Sequence, residues 1–135
     1  MPKTADRPLS PHLQIYRPMY TMVLSILHRL SGLYLAATGF LFVAWLSSAA
    51  MGKDAYGCVV GLLSGAAMRL VLALALAAFW YHLFAGLRHL AWDAGYGFEK
   101  RSARRSGAIV VILAAAAFAA TLLLSPAGRF LAGLA

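Results

Sequence analysis

The sequence predicts an all-α integral membrane protein with three transmembrane helices. Hydrophobic residues make up 62% of the 135 residues and charged residues 12%, whereas a soluble domain is about 45–50% apolar and about 25% charged. The apolar residues are concentrated in three segments, each long enough for a membrane-spanning helix of about 20 residues. None of the segments shows the alternation of period two that is typical of a membrane β-strand.

The three spans and their connections divide the chain into five parts. Residues 1–21 form an amino-terminal segment, and residues 22–51 form the first span. This span is longer than a perpendicular helix requires, so we expect its first turns at the membrane interface. Residues 68–92 form the second span, residues 93–106 a basic loop, and residues 107–125 the third span, which ends before Pro126.

The distribution of basic residues predicts the orientation. The net charge is +8, with 12 Lys and Arg against 4 Asp and Glu. Three spans place the residues before the first span and those between the second and third on one side, which then holds nine of the basic residues: Lys3, Arg7, Arg17, Arg29, Arg88, Lys100, Arg101, Arg104 and Arg105. The other side holds Lys53, Arg69 and Arg129. Because basic residues are retained on the cytoplasmic side, we expect a cytoplasmic amino terminus in a bacterial inner membrane, or a matrix-side one in a mitochondrion.

Other function classes are disfavoured by the same composition. The basic residues flank apolar spans and form no soluble basic face, which argues against nucleic-acid binding. Cys58 is the only cysteine, so an internal disulfide and a cysteine-rich metal site are excluded.

Two polar islands interrupt the apolar segments. The first contains Ser25, His28 and Arg29, and the second runs from His82 to Asp93. Ionisable side chains in a membrane segment are costly, so they usually face a ligand, a cavity or a partner. We therefore expect one site between the first two spans.

The depth of the histidines is compatible with a haem. His82 lies ten residues before Trp92, which is about 15 Å at 1.5 Å per residue and close to the middle of a core of about 30 Å. A neutral imidazole there can ligate iron, while His28 and Arg29, nearer the cytoplasmic face, can pair with the propionates. The alternative for His82 is an interhelical hydrogen bond, and for His28 an interfacial position.

Three further polar residues near the end of the second span are candidates for a supporting role. Arg88 could also reach a propionate, although an ion pair with Asp93 or snorkelling to the interface is an alternative. For His89 the favoured interpretation is a histidine near a helix C-terminus, where positive charge is favourable.

The spacing of small and polar residues suggests two further features. Gly32 follows His28 by four residues and Gly86 follows His82 by four, so each could let a flat macrocycle or a backbone approach, or could serve ordinary helix packing. Ser25 shares a helical face with His28 and Arg29. A hydroxyl and a cation there could donate to a quinone carbonyl, or could cap the helix and anchor it at the interface.

These residues closely resemble the larger membrane-anchor subunit of succinate dehydrogenase, the cytochrome b subunit of respiratory complex II. The matching pattern is Arg7-Pro8-Leu9-Ser10-Pro11-His12-Leu13, then Ser25-x-x-His28-Arg29-x-Ser31-Gly32, then His82-x-x-x-Gly86-Leu87-Arg88-His89-Leu90-x-Trp92-Asp93-x-Gly95. The resemblance extends from Arg7 to the third span.

The resemblance implies the cofactors, partners and site residues. It implies half of a heterodimeric helical bundle, completed by a smaller three-span anchor that shares haem b. It also implies a flavoprotein subunit with covalent FAD and an iron–sulfur subunit with three clusters. By the same resemblance, His82 is the haem ligand, Ser25 and Arg29 line the ubiquinone pocket, and His28 and Arg29 lie near the propionates. The chain itself would carry no succinate chemistry.

Two alternatives remain open at the level of sequence. One is the anchor of a quinol:fumarate reductase, which has the same architecture and uses menaquinone in the reverse reaction. The other is a small multispan transporter subunit whose histidines relay protons.

Overall fold

The computed structural model describes residues 17–133, which form five α-helices and no strand. The helices are α1 (Tyr20–Met51), α2 (Lys53–Leu63), α3 (Ala66–Asp93), α4 (Lys100–Leu124) and α5 (Pro126–Ala132). Helices α1, α3 and α4 are long and apolar enough to cross a membrane, which confirms the all-α prediction with three spans. The Arg7–Leu13 motif and most of the amino-terminal segment 1–21 lie outside the described residues.

The two short helices have weak sequence signals. Gly52, with φ +108°, separates α2 from α1. Two glycines inside α2, Gly57 and Gly61, lower its helix propensity, but α2 packs against α1, and such packing supplies most helical stability in proteins. Helix α5 begins at Pro126 after an extended Ser125, because proline cannot continue α4 and is favoured at a first helical position.

Helix α4 includes the basic residues of the 93–106 segment. It begins at Lys100, so the four basic residues between positions 100 and 105 lie on its first two turns. Lysine, arginine and alanine are good helix formers, and hydropathy marks only the apolar part of a helix. Gly95 and Gly97, both at positive φ, form the turn between α3 and α4.

Helix α3 is the central helix and packs against both α1 and α4. Gly107 permits a close approach of α4 to α1, since a Cβ there would lie 2.6 Å from Leu24 Cδ1 and 2.9 Å from Tyr20 Cε1. Few large side chains are buried within the described residues. The buried apolar residues are Leu24, Ala85, Val110 and Ala114. Most of the apolar surface therefore faces outward, as expected of helices in lipid or against another membrane subunit.

Two tyrosines and a tryptophan make side-chain hydrogen bonds that join the long helices. These bonds are Tyr34 Oη to the Val71 carbonyl at 2.9 Å, Tyr81 Oη to the Leu24 carbonyl at 2.8 Å, and Trp80 Nε1 to Thr121 Oγ1 at 3.0 Å. Polar bonds of this kind stabilise helix pairs in membranes and satisfy groups that lipid cannot. They set the register in which α1 and α4 pack on α3, and thereby position the histidines.

Candidate functional site

Three histidines from α1 and α3 form one stack. The ring of His28 lies between those of His82 and His89, with centroids 4.2 Å and 4.7 Å apart and interplanar angles of 25° and 20°. His82 and His89 are seven residues apart on α3 and therefore face the same direction, two turns apart. The structure thus brings together the two polar islands that the sequence places on different spans.

The His82 ring is held at Nδ1 by two acceptors on α1. Nδ1 lies 3.1 Å from the backbone carbonyl of His28 and 3.1 Å from Ser31 Oγ. A carbonyl oxygen carries no proton, so Nδ1 must donate, and a neutral imidazole then has its lone pair at Nε2. Nε2 makes no hydrogen bond to a described residue. A histidine that ligates a metal through Nε2 requires this tautomer, with the proton on Nδ1.

Two glycines border the stack, each opposite a histidine of the other helix, and Gly32 makes room for it. A Cβ on Gly32 of α1 would lie 2.8 Å from Cε1 of His82 on α3. A Cβ on Gly86 of α3 would lie 3.9 Å from Nε2 of His28 on α1. Gly32 therefore accommodates the histidine of the opposite helix rather than His28 on its own helix, whereas a Cβ at Gly86 would make only ordinary van der Waals contact with His28.

His28 has one buried polar atom without a partner. Within residues 17–133, its Nε2 is the buried side-chain nitrogen or oxygen that makes no hydrogen bond. Leaving a buried polar group unpaired costs about 1–3 kcal/mol. His89 differs, because its Nδ1 lies 2.7 Å from the Ala85 carbonyl on its own helix.

Arg88 is buried, and its guanidinium is directed to α4. Nε donates to Ser106 Oγ at 3.1 Å and Nη2 to the Ala103 carbonyl at 3.0 Å. The guanidinium also lies 4.0 Å from the Trp92 ring centroid. Asp93 is exposed at the last residue of α3. Arg88 thus binds the first turns of α4, instead of pairing with Asp93 or extending to the interface.

Ser25 and Arg29 lie one turn apart on α1 and are not engaged by the rest of the described chain. Ser25 is half-buried and Arg29 is exposed. Neither side chain makes a hydrogen bond or ion pair with any of residues 17–133. Their polar groups are available to a ligand or to another subunit.

An apolar groove of about 680 Å³ runs between α1 and α3, and one of its lining residues, Ser31, contacts the ring of His82. Ser31, Tyr34 and Tyr81 line it together with leucine and alanine side chains. Ligand sites commonly have volumes of about 300–1,000 Å³ and are mostly apolar with a few polar groups. The groove has this character.

The structure adds Ser31 to the residues that the sequence predicts for the site, and it places the already predicted Gly32 against the ring of His82. Both occur in the first polar island, three and four residues after His28. Their spacing from His28 indicates a shared face, but the contact with His82 depends on how α1 and α3 pack.

The described residues hold no group of three or more His, Cys, Asp or Glu side chains arranged to bind a metal ion. The fold and site define a multi-pass helical membrane protein in which contacts with α1 orient the imidazole of His82. Residues 3–121 match the family described as succinate dehydrogenase/fumarate reductase transmembrane subunit, and the chain belongs to this family.

Several relatives are named as cytochrome b subunits of succinate dehydrogenase. The chain is 42% identical to the cytochrome b556 subunit of Paracoccus denitrificans over 101 residues, which cover 75% of this chain and 78% of that protein. It is 41% identical to the cytochrome b560 subunit of Reclinomonas americana over 112 residues, or 78% and 76% of the two chains. The family assignment confirms the resemblance deduced from the motifs.

Proposed function

We propose that this chain is the membrane-anchor cytochrome b subunit of a succinate:ubiquinone oxidoreductase. The observation that carries the proposal is the orientation of His82, whose Nδ1 is bound to α1 and whose Nε2 is left without a hydrogen bond to a described residue. The names of the relatives support the same function. They favour it over a proton-relaying transporter subunit.

The residues around His82 fit a haem. His82 offers an imidazole Nε2 that no described residue binds, and Ser31, which contacts its ring, also lines an apolar groove between α1 and α3. His82 would hold the haem from this chain, and a residue of a second anchor subunit would hold it from the other side of the bundle. When bound, the haem supplies a one-electron redox centre.

Two residues of α1 are suited to the haem propionates. Arg29 is exposed and carries a permanent positive charge with several donors. We assign His28 to the propionates because it directly precedes Arg29 on α1; its Nε2 is buried beside the rings of His82 and His89 and would have to become accessible to donate to a carboxylate. His89 supports His28 by stacking, Arg88 holds α4 against α3, and Asp93 is a candidate for a supporting contact at the helix end.

Ser25 and Arg29 are also suited to ubiquinone. A quinone carbonyl accepts hydrogen bonds, and the hydroxyl and guanidinium are donors on one face of α1. Within the described chain neither is used by the fold. Their role is to bind the quinone head group and to stabilise the negative charge that develops on its oxygens during reduction.

The remaining chemistry belongs to the partner subunits. A flavoprotein subunit with FAD oxidises succinate, and an iron–sulfur subunit delivers the electrons to the quinone beside this chain. The assembly lies in the bacterial inner membrane, with the amino terminus of this chain on the cytoplasmic side, where the basic residues are concentrated.

The haem assignment is tested by His82→Leu in the complex purified with its partners. We expect the b-type reduced-minus-oxidised spectrum to be lost or changed. His89→Leu is the matched control, since it removes an imidazole from the same stack and should leave a b-type spectrum. A wild-type spectrum in an assembled His82→Leu complex would contradict the assignment. Fumarate reduction by menaquinol as the favoured reaction would identify the quinol:fumarate reductase alternative.

A further inference from the structure

We propose that Ser31 and Gly32 are positioning residues for His82. Ser31 holds the ring at Nδ1, and Gly32 leaves the space in which the ring lies. This inference rests on the proposed role of His82 as a haem ligand, and it extends that role to two residues that do not themselves touch the iron.

The hydrogen bonds of the Ser31 hydroxyl have a defined direction. Its single proton is donated to the His28 carbonyl, 2.8 Å away. Its lone pairs are then free to accept the Nδ1 proton of His82 at 3.1 Å. The same proton also faces the His28 carbonyl at 3.1 Å. A ring flipped by 180° would place a carbon at these two acceptors and lose both interactions, so the pair selects one ring orientation.

Gly32 affects the position of the same ring because it has no side chain. The Cβ of an alanine there would lie 2.8 Å from Cε1, 3.3 Å from Nδ1 and 3.7 Å from Nε2 of His82. The first distance is well inside van der Waals contact, so the ring would have to move away from α1. The movement would change the direction of the Nε2 lone pair and lengthen the two bonds at Nδ1.

The helix offers a matched control for each position. Ser48 is buried on α1 and donates to the carbonyl three residues earlier, Trp45, at 2.7 Å, as Ser31 does to His28, but no histidine bond to it is found among the described residues. Gly39 also lies on α1, and a Cβ there would meet nothing within 4 Å. Ser48→Ala and Gly39→Ala therefore reproduce the chemical changes without the contact to His82.

The experiment compares Ser31→Ala, Gly32→Ala and both controls in the purified complex. The readouts are the haem content, the rate of haem transfer to excess apomyoglobin and the low-spin electron paramagnetic resonance signal of the oxidised haem. Changes in groups that orient metal ligands typically weaken binding by about 10–100-fold. We expect about tenfold faster haem transfer and a shifted resonance in Ser31→Ala and Gly32→Ala, and wild-type values in both controls. Ser31→Thr, which retains the hydroxyl, should remain close to wild type.

The outcomes separate this inference from the proposed function. If His82→Leu retains the wild-type spectrum, the haem assignment itself fails. If His82→Leu loses it while Ser31→Ala and Gly32→Ala match their controls, His82 is the ligand and the positioning role is overturned. Should Gly32→Ala fail to assemble, the comparison of Ser31→Ala with Ser48→Ala decides the inference alone.

Discussion

At the scale of single residues, the polar groups of this chain differ in whether the fold already uses them. His82 and Arg88 have partners on neighbouring helices. Ser25 and Arg29 have none among residues 17–133. A polar side chain is costly in or near the hydrocarbon region unless something outside the chain binds it. The unengaged pair is therefore the part of the site expected to meet the quinone.

Ser25→Ala should lower quinone reduction more than it affects assembly. The substitution removes a hydroxyl with little volume, and a hydrogen bond to a group with developing charge is worth about 1.5–3 kcal/mol, which corresponds to a rate loss of about tenfold or more. Arg29→Leu should have a larger effect. The measurement is the ratio of succinate:ubiquinone reductase activity to reduction of a soluble dye in each assembled complex.

Ser47→Ala is the control for this prediction, since Ser47 is exposed near the other end of α1 and its substitution should leave the ratio at the wild-type value. An unchanged ratio in both Ser25→Ala and Arg29→Leu would show that these residues are interfacial anchors and that the quinone binds elsewhere.

At the scale of the helices, α3 links the other two long helices, α1 and α4. Its α1 face carries the histidine contacts, and its α4 face carries the Trp80 bond to Thr121 and the Arg88 contacts. The guanidinium of Arg88 therefore holds α3 and α4 together, and we call this contact the clamp. If Arg88 is replaced, the buried groups on α4 that it binds lose a hydrogen-bond partner.

Arg88→Leu should destabilise the packing of α4 on α3 without changing the haem spectrum. We expect a loss of about 1.5–3 kcal/mol for each charged hydrogen bond removed, seen as a lower thermal midpoint of the complex. Arg101→Leu, at an exposed position on the first turn of α4, should leave that midpoint unchanged. Equal thermal midpoints for the two variants would exclude the clamp. A changed spectrum in Arg88→Leu would instead favour a propionate contact.

At the scale of the whole molecule, the two ends differ in charge. The start of α1 lies beside the start of α4, where Tyr20 and Leu24 face Gly107. The start of α3 lies beside the end of α5, where Arg69 faces Gly133. The basic residues of α4 therefore share an end with the start of α1, and the end with Lys53, Arg69 and Arg129 is less basic. The exterior between them is largely apolar.

We expect the amino terminus and the start of α4 to be labelled from the cytoplasmic side. Lys3→Cys and Ser102→Cys, each introduced with Cys58→Ser, provide single reporters on that side. The native Cys58, which is exposed on α2, is the matched reporter for the opposite side. Labelling of positions 3 and 102 from opposite sides would rule out the three-span topology.

The sequence by itself determined the fold class, the number of spans and the family, because transfer of an apolar segment into lipid depends on local composition and because the two polar islands form long motifs. It also predicted that His28 and His82 belong to one site. The tertiary structure decided the contacts between helices, which local composition does not specify. The rotation and register of α1 on α3 place Ser31 and Gly32 against His82, and α4 determines the direction of Arg88. The glycine-containing α2 becomes a helix where it packs on α1, since contacts between distant segments outweigh its weak propensity.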